Sequence, residues 1–288
     1  MFLRTNHFKL IFLFLALTIT ACGGGGGGST TPTATVSEGK FIDSAVEGMT
    51  YTSGAQSGLT DATGLFSYET GKTVTFSIGD IVIGTVSGTA IVTPVQLIAN
   101  ATDQTNTVVT NIVQFLMTID DDHDPSNGIK ITQAIRDAAV GLTIDFTLAD
   151  FDTNSNVSSV VDTLTTASTL GNQVLVTNAA AQTHLGDSLF SLLTGTYAGT
   201  FAGSDTGTWT ITIATNGTIS GTGSSATGAS LVFSGSIVTS GSITASSSGG
   251  SSSGSTWSGT INIATGGVSG NWSLSGTGLT GTYTGSKK

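Results

Sequence analysis

The most chemically suggestive segment of the chain is a run of aspartates. Asp120, Asp121, Asp122 and Asp124 lie within five residues, where they repel one another unless a cation or hydrogen-bond donors compensate. Asp120, Asp122 and Asp124 have the 1-3-5 spacing of the oxygen ligands in a calcium loop, and Asn127 adds an amide oxygen. The sequence therefore predicts a candidate calcium site at Asp120, Asp122, Asp124 and Asn127.

The match to a calcium loop is incomplete. An EF-hand has Gly at the sixth position and Glu at the twelfth, where this chain has Pro125 and Ile131. The alternative is a solvated acidic turn before the next helix, with residues 125–128 (Pro-Ser-Asn-Gly) supplying the turn chemistry. Acids at the end of a preceding helix are slightly unfavourable, which favours an ion. Both interpretations stay open.

No catalytic set can be assembled from the sequence. His123 and His184 are the histidines after residue 22. His123 could be a ligand in the acidic turn, although a solvated histidine is the simpler interpretation, and His184 is interpreted as a packing or hydrogen-bonding residue. A serine hydrolase needs Ser, His and Asp to meet in space, and a glycosidase needs two carboxylates across a cleft. Asp150 and Asp152 could serve as such a pair, although surface acids are the simpler interpretation. We therefore expect a protein that is not an enzyme.

The single cysteine follows an export signal. Arg4 and Lys9 begin it, residues 10–17 are apolar, and residues 18–21 are small or apolar. The apolar run is shorter than the roughly 20 residues that span a bilayer. The residues Ile19-Thr20-Ala21-Cys22 resemble the lipobox of bacterial lipoproteins. The resemblance implies a signal peptide at 1–21 and a lipid such as palmitate on Cys22; the alternative is an ordinary signal with an incidental cysteine.

A flexible tether follows Cys22. Six consecutive glycines at 23–28 cannot hold a helix, so residues 22–37 are predicted to be a lipidated, glycine-rich tether. No aspartate follows Cys22. By resemblance to Gram-negative lipoproteins, this implies anchoring in the outer membrane, facing either the periplasm or the cell surface.

Composition limits the partners and divides the chain. Of 8 basic residues, Arg4 and Lys9 lie in the signal, so six remain against 18 acidic residues. This acidic balance argues against nucleic acid as a partner. From Leu192 onward the charged residues are Asp205, Lys287 and Lys288. This change predicts a boundary near residue 190, with modules at 38–190 and 191–288.

The module at 38–190 is predicted to be α+β, with short strands up to about residue 95 and then helices. Residues 60–68 resemble the T-D-x-x-G-x-F-x-Y hairpin of carboxypeptidase-regulatory-like β-sandwich domains, and residues 41–84 resemble a module at the front of surface lipoproteins. The resemblance implies a small β-sandwich and brings no activity. Helices are expected at 106–119, 157–170 and 172–190. The last carries an apolar stripe at Val174, Ala181, Leu185 and Leu189.

The module at 191–288 is predicted to be an eight-stranded up-and-down antiparallel barrel. Apolar residues alternate with Ser and Thr, and glycines fall on the apolar face, where they allow a sheet to bend. Residues 213–217 recur about 50 residues later as 263–267, which equals four strands. The first and last strands are expected to pair and close the barrel. Its strands are too short and too hydroxyl-rich for a membrane barrel.

These features favour a non-catalytic, lipid-anchored cell-envelope protein that acts as a binding or structural module. Its partners would be the membrane, through the lipid, and a protein or glycan, with calcium as the one candidate cofactor. The alternatives are a ligand-binding lipoprotein that uses the barrel mouth, and an envelope enzyme with its site in the helical part. A filled barrel interior is favoured over one that holds a ligand, because the aromatic residues are numerous and no charged residue points inward.

Overall fold

The computed structural model describes residues 34–249 and 253–288. The predicted signal peptide, Cys22 and the glycine run of the tether lie outside the described residues, so the statements about them stay predictions. Residues 34–288 form one compact unit.

The N-terminal part is β-rich. Its strands are β1 (Val36–Phe41), β2 (Val46–Glu47), β3 (Thr50–Ser53), β4 (Gln56–Leu59), β5 (Leu65–Glu69), β6 (Thr73–Ile78), β7 (Ile81–Ser87) and β8 (Ile91–Val92). They form a three-stranded sheet of order β5-β1-β8 and a four-stranded sheet of order β4-β3-β6-β7. Phe76 of the second sheet contacts Phe41 and Phe66 of the first, with ring centroids 4.9 and 5.0 Å apart. The shared aromatic core holds the sheets together.

The turn before β5 is built by one carboxylate. Asp61 Oδ1 accepts hydrogen bonds from the backbone N–H of Thr63 (2.8 Å) and of Leu65 (2.9 Å). Gly64 has a φ of 75°, a conformation that glycine adopts without a steric penalty. Phe66 and Tyr68 then point into the core.

Four helices follow, with one further strand among them. They are α1 (Thr107–Thr118), β9 (Ile129–Lys130), α2 (Gln133–Ala138), α3 (Ser155–Thr166) and α4 (Asn178–Leu193). Short 3-10 turns occupy Pro94–Leu97, Pro125–Asn127 and Phe151–Thr153. Strand β9 pairs in parallel with β2. No helix among the described residues is long and apolar enough to cross a membrane.

The start of α4 differs from the prediction. The helix begins at Asn178 because the side chain of Thr177 accepts a hydrogen bond from the N–H of Ala180 and so caps it. Val174 therefore lies before the helix and is 90% exposed, so its place in the predicted apolar stripe is wrong. Ala181, Leu185 and Leu189 are buried in the core, as that stripe requires.

The C-terminal part is a closed eight-stranded antiparallel barrel, which confirms the prediction. Its strands are β10 (Gly195–Gly203), β11 (Gly207–Ile213), β12 (Thr218–Ser225), β13 (Ser230–Ile237), β14 (Ser242–Ser248), β15 (Ser255–Ile261), β16 (Gly267–Leu274) and β17 (Leu279–Lys287). Each strand pairs with the next. Strand β10 pairs with β17, with Gly199 opposite Gly285, and this pairing closes the barrel.

The barrel core consists of aromatic rings over glycines. Trp257 lies in edge contact with Phe201 and Phe233, at 5.4 and 5.0 Å between ring centroids. A Cβ added to Gly281 would lie 2.4 Å from the indole nitrogen of Trp272. The glycines therefore leave the space that the rings fill, while Ser and Thr side chains cover the outer face.

Helix α4 joins the two cores. Its Leu185 and Leu189 belong to the N-terminal core, whereas Leu193 belongs to the barrel core. The Tyr197 hydroxyl donates to the carbonyl of Leu193 at 2.8 Å, and Lys287 Nζ donates to the carbonyl of Leu192 at 2.7 Å. The helix end is thus fixed to both the first and the last barrel strand.

Candidate functional site

The barrel interior is filled. The cavity in it measures about 20 Å³, which is room for about one water molecule. Eight side chains line it: Trp209, Ile211, Ile219, Phe233, Ile243, Ala245, Trp257 and Tyr283. The Tyr283 hydroxyl is buried without a hydrogen-bond partner, and burial raises the pKa of Tyr283 to about 12. This space is too small for the ligand that a barrel-interior site would need.

The predicted calcium residues lie on one loop between α1 and β9. Asp120 is fully buried, and its Oδ1 accepts the N–H of Lys130 at 2.8 Å. Asp121 accepts hydrogen bonds from the N–H and hydroxyl of Thr169 at 2.9 and 2.8 Å, which ties the loop to the turn after α3. The two ends of the loop are therefore fixed.

The middle of the loop is organised by its own acids. Asp122 accepts hydrogen bonds from Asn127 Nδ2 at 3.0 Å and from the N–H of Asp124 at 3.1 Å. Asp124 accepts the N–H of Ser126 at 3.2 Å. The hydrogen bond from the Asn127 amide does most to lower the pKa of Asp122 below its usual value. Burial, aided by the charge of Asp122, raises the pKa of Asp120 to about 6.

His123 occupies the tip of this loop. Its φ is 53°, and its Nε2 is buried without a hydrogen-bond partner. Burial lowers the pKa of its imidazole. Among the residues that the structure describes, no group of three His, Cys, Asp or Glu side chains could hold a metal ion. Any cation here would need backbone or amide oxygens besides Asp120 and Asp122, and the calcium site stays a prediction.

A second polar site lies in a cleft that the sequence did not reveal. His184 of α4 faces the turn after β1, and its Nε2 lies 3.4 Å from Asp43 Oδ1. The same nitrogen lies 3.5 Å from the hydroxyl of Ser44, whose φ is 51°. Ser188 holds that turn by accepting the N–H of Ser44 at 3.1 Å. The cleft measures about 460 Å³ and is also lined by Ser126, Asp187 and Ser191.

Burial dominates the electrostatics of this pair. Asp43 is 0% exposed, and both of its carboxylate oxygens lack a hydrogen-bond partner. Desolvation raises the pKa of Asp43 well above its usual range. Burial also lowers the pKa of His184, against the opposing effects of a hydrogen bond to the Asp43 backbone and the charge of Asp187. Burial therefore disfavours the charged forms of both groups and acts against an ion pair between them.

The geometry does not form a Ser-His-Asp relay. In such a relay the acid and the serine contact opposite nitrogens of the imidazole, whereas Asp43 and Ser44 both face Nε2. Sequence reasoning missed this site because Ser44 and His184 are 140 residues apart. One signal was present: Gly39, Phe41 and Asp43 alternate on the buried face of β1 and the turn after it.

The two remaining acids that the sequence suggested lie elsewhere. Asp152 accepts hydrogen bonds from Gln114 Nε2 at 2.9 Å and from Asn178 Nδ2 at 3.0 Å, and thereby links α1 to the start of α4. The carbonyl of Asp150 accepts the N–H of Thr153 at 2.9 Å within a 3-10 turn. These contacts give Asp152 a structural role.

The chain matches no protein-family model, no curated protein and no solved structure.

Proposed function

We propose that this chain is a non-catalytic, lipid-anchored protein of the bacterial outer membrane, with Cys22 as the lipidated residue. The basic start, the apolar run and the lipobox-like residues before Cys22 support the anchor. The six glycines that follow would let the folded part stand away from the lipid. The barrel is the recognition or structural end of the protein.

The observation that carries this proposal is the contrast between the two faces of the barrel. The inner face is packed solid, whereas the outer face bears a row of exposed hydroxyls that crosses all eight strands. One Ser or Thr from each strand lies opposite the next in the cross-strand pairing: Thr196, Thr212, Ser220, Ser234, Ser246, Thr256, Ser273 and Thr280. Recognition by this domain would therefore use outward hydroxyls, which suit hydrogen bonds to a glycan or to a protein backbone.

We also propose that the first part of the chain is a carboxypeptidase-regulatory-like β-sandwich. Its support is the pair of sheets that share Phe41, Phe66 and Phe76, together with the Asp61–Gly64 turn. It would act as a stem, since the resemblance carries no activity.

An envelope enzyme is the second candidate, and the cleft around His184 favours it. A buried acid beside a histidine in an open cleft is a frequent feature of active sites. The test is to compare ester and glycoside hydrolysis by the wild type and by His184→Gln. Turnover that is lost in His184→Gln while the melting temperature holds would favour the enzyme over the binding module. The other alternative, a ligand at the barrel mouth, would have to bind outside the filled interior.

The anchor is tested by replacing Cys22 with Ala in cells fed a labelled fatty acid. We expect the wild type to carry the label and to sediment with outer membranes. Cys22→Ala should be unlabelled and either soluble or uncleaved. A variant that keeps the wild-type label would contradict the assignment.

The recognition role is tested by adding charge to this row of hydroxyls. Partners are captured by crosslinking in intact envelopes for the wild type and for the double variant Thr212→Lys, Ser234→Lys. The matched control is Thr52→Lys, an exposed threonine on a strand of the N-terminal part. Loss of partners in the barrel variant alone is expected. Loss in Thr52→Lys alone would assign recognition to the N-terminal part instead.

A further inference from the structure

The loop between α1 and β9 contains a buried acid that its own fold leaves unsatisfied. Asp120 is 0% exposed. Its Oδ1 accepts the N–H of Lys130, but no N–H or hydroxyl of the described residues donates to its Oδ2. A buried acceptor without a donor is costly, because it loses its hydration and gains nothing in exchange. Asp120 therefore points to a missing positive group.

A second carboxylate lies against the first. Asp122, which is exposed, acts on Asp120 both through its charge and through a side-chain hydrogen bond, which two carboxyl groups form only when a proton lies between them. Among the described residues, no Lys or Arg side chain lies within 4.0 Å of a carboxylate, so none neutralises this pair of acids. The loop brings an exposed carboxylate against a buried one without a Lys or Arg side chain to neutralise them.

The remaining oxygens near this pair are neutral. Asn127 donates its Nδ2 to Asp122 Oδ2 at 3.0 Å. A half-turn of that amide would direct its oxygen to the same point, since the two ends of an amide have nearly the same shape. Backbone carbonyls of the loop add further oxygens. Calcium accepts six to eight oxygen ligands, including carbonyls and water, in a flexible geometry.

The loop is also held in place before any ion binds. Asp121 is bonded to Thr169, and β9 pairs with β2 immediately after the loop. A fixed loop loses little conformational freedom when an ion binds, which favours binding.

We propose that residues 120–130 form a site for one calcium ion, bound by Asp120 and Asp122 with the amide oxygen of Asn127 and backbone oxygens. The site is independent of the lipid anchor and of the barrel. Its role is to neutralise the charge of Asp120 and Asp122.

The experiment measures thermal unfolding of the full chain in detergent, first stripped with chelator and then titrated with calcium chloride. Calcium at about one hundred times its dissociation constant should raise the melting temperature by about 5–10 °C. Potassium chloride at the same ionic strength should give no such rise. An equal rise with potassium chloride, or none with calcium, would overturn the site.

Three variants assign the ligands. Asp120→Asn and Asp122→Asn keep the shape and an acceptor oxygen but remove the charge, and each should lose most of the calcium-dependent shift. Asp145→Asn is the matched control, because Asp145 caps a similar turn by accepting the N–H of Thr147 at 2.9 Å. It should keep the full shift. Retention of the full shift in both loop variants would overturn the proposal, and calorimetric titration with calcium measures the same loss of binding in the folded proteins.

Discussion

The closing seam of the barrel has no room for a methyl group at Gly285. A Cβ there would lie 2.4 Å from the carbonyl oxygen of Ala198 and 2.5 Å from Cζ2 of Trp209. Ordinary carbon contacts are about 3.5–4.0 Å, so the ring and the neighbouring strand would both have to move by about 1 Å. Overpacking of this kind typically costs about 1–3 kcal/mol. We therefore expect Gly285→Ala to lower the melting temperature by about 2–12 °C.

The control adds the same methyl group where space exists. In Gly186→Ala the new Cβ, on α4, would lie 3.4 Å from Gln104 Nε2, which is ordinary contact. Alanine is favoured over glycine within a helix by about 1 kcal/mol, so this variant should be more stable than the wild type. Trp209→Phe removes the ring atoms that would clash with the methyl group of Ala at position 285. Its loss of stability should therefore be smaller in the Gly285→Ala protein than in the wild type. Calorimetry of these proteins is the assay. A Gly285→Ala protein that melts within about 1 °C of the wild type would refute the reasoning.

Three further predictions concern single polar groups. Asn106→Ala should cost about 1 kcal/mol in urea unfolding, because Asn106 Oδ1 accepts the N–H of Val108 at 3.0 Å; no change would show that α1 needs no cap. Tyr283→Phe should be neutral or stabilising by about 1 kcal/mol, since the hydroxyl has no partner; a clear loss in thermal melts would reveal one. Folding raises the pKa of Asp43 above its unfolded value near 3.8. The stability that the protonated carboxyl contributes is therefore fully present below pH 3.8 and is lost as the pH rises toward the pKa of the folded state. Asn does not ionise, so the free energy of unfolding of Asp43→Asn, measured in urea relative to the wild type, should rise by up to about 1.4 kcal/mol per pH unit above about pH 4. A wild type that instead becomes more stable relative to Asp43→Asn as the pH rises would mean that an ion pair with His184 dominates.

The barrel is predictable because its rules are local. Strict alternation fixes which face is buried, and turn residues fix the strand ends, so the eight strands and the pairing of the first with the last follow from the sequence. The repeated residues 213–217 and 263–267 fall at the β11–β12 and β15–β16 turns, which are four strands apart. Residues 246–255 are serine- and glycine-rich, a composition that predicts a loop, yet Ser248 ends β14 and Ser255 begins β15.

The sites are less predictable because they depend on distant pairings. The sequence singles out Asp120 by its neighbours, but only the fold shows that it is buried with one oxygen unpaired. From the sequence His184 is a packing or hydrogen-bonding residue, since nothing nearby in the chain shows that α4 lies against Asp43. The error at Val174 has a similar origin, because Val174 continues the apolar spacing of α4 although Thr177 already caps the helix.

Pairing of β10 with β17 also governs when the barrel can acquire its core. Tyr197 pairs with Lys287, so the seam cannot form until the last strand has been delivered. Hairpins between successive strands can assemble earlier, but they leave Trp209 and its neighbours without the glycines that cover them. Non-local closure of this kind slows folding. Until Lys287 pairs with Tyr197, β10 and β17 are two unpaired edges, and misassembly would begin there.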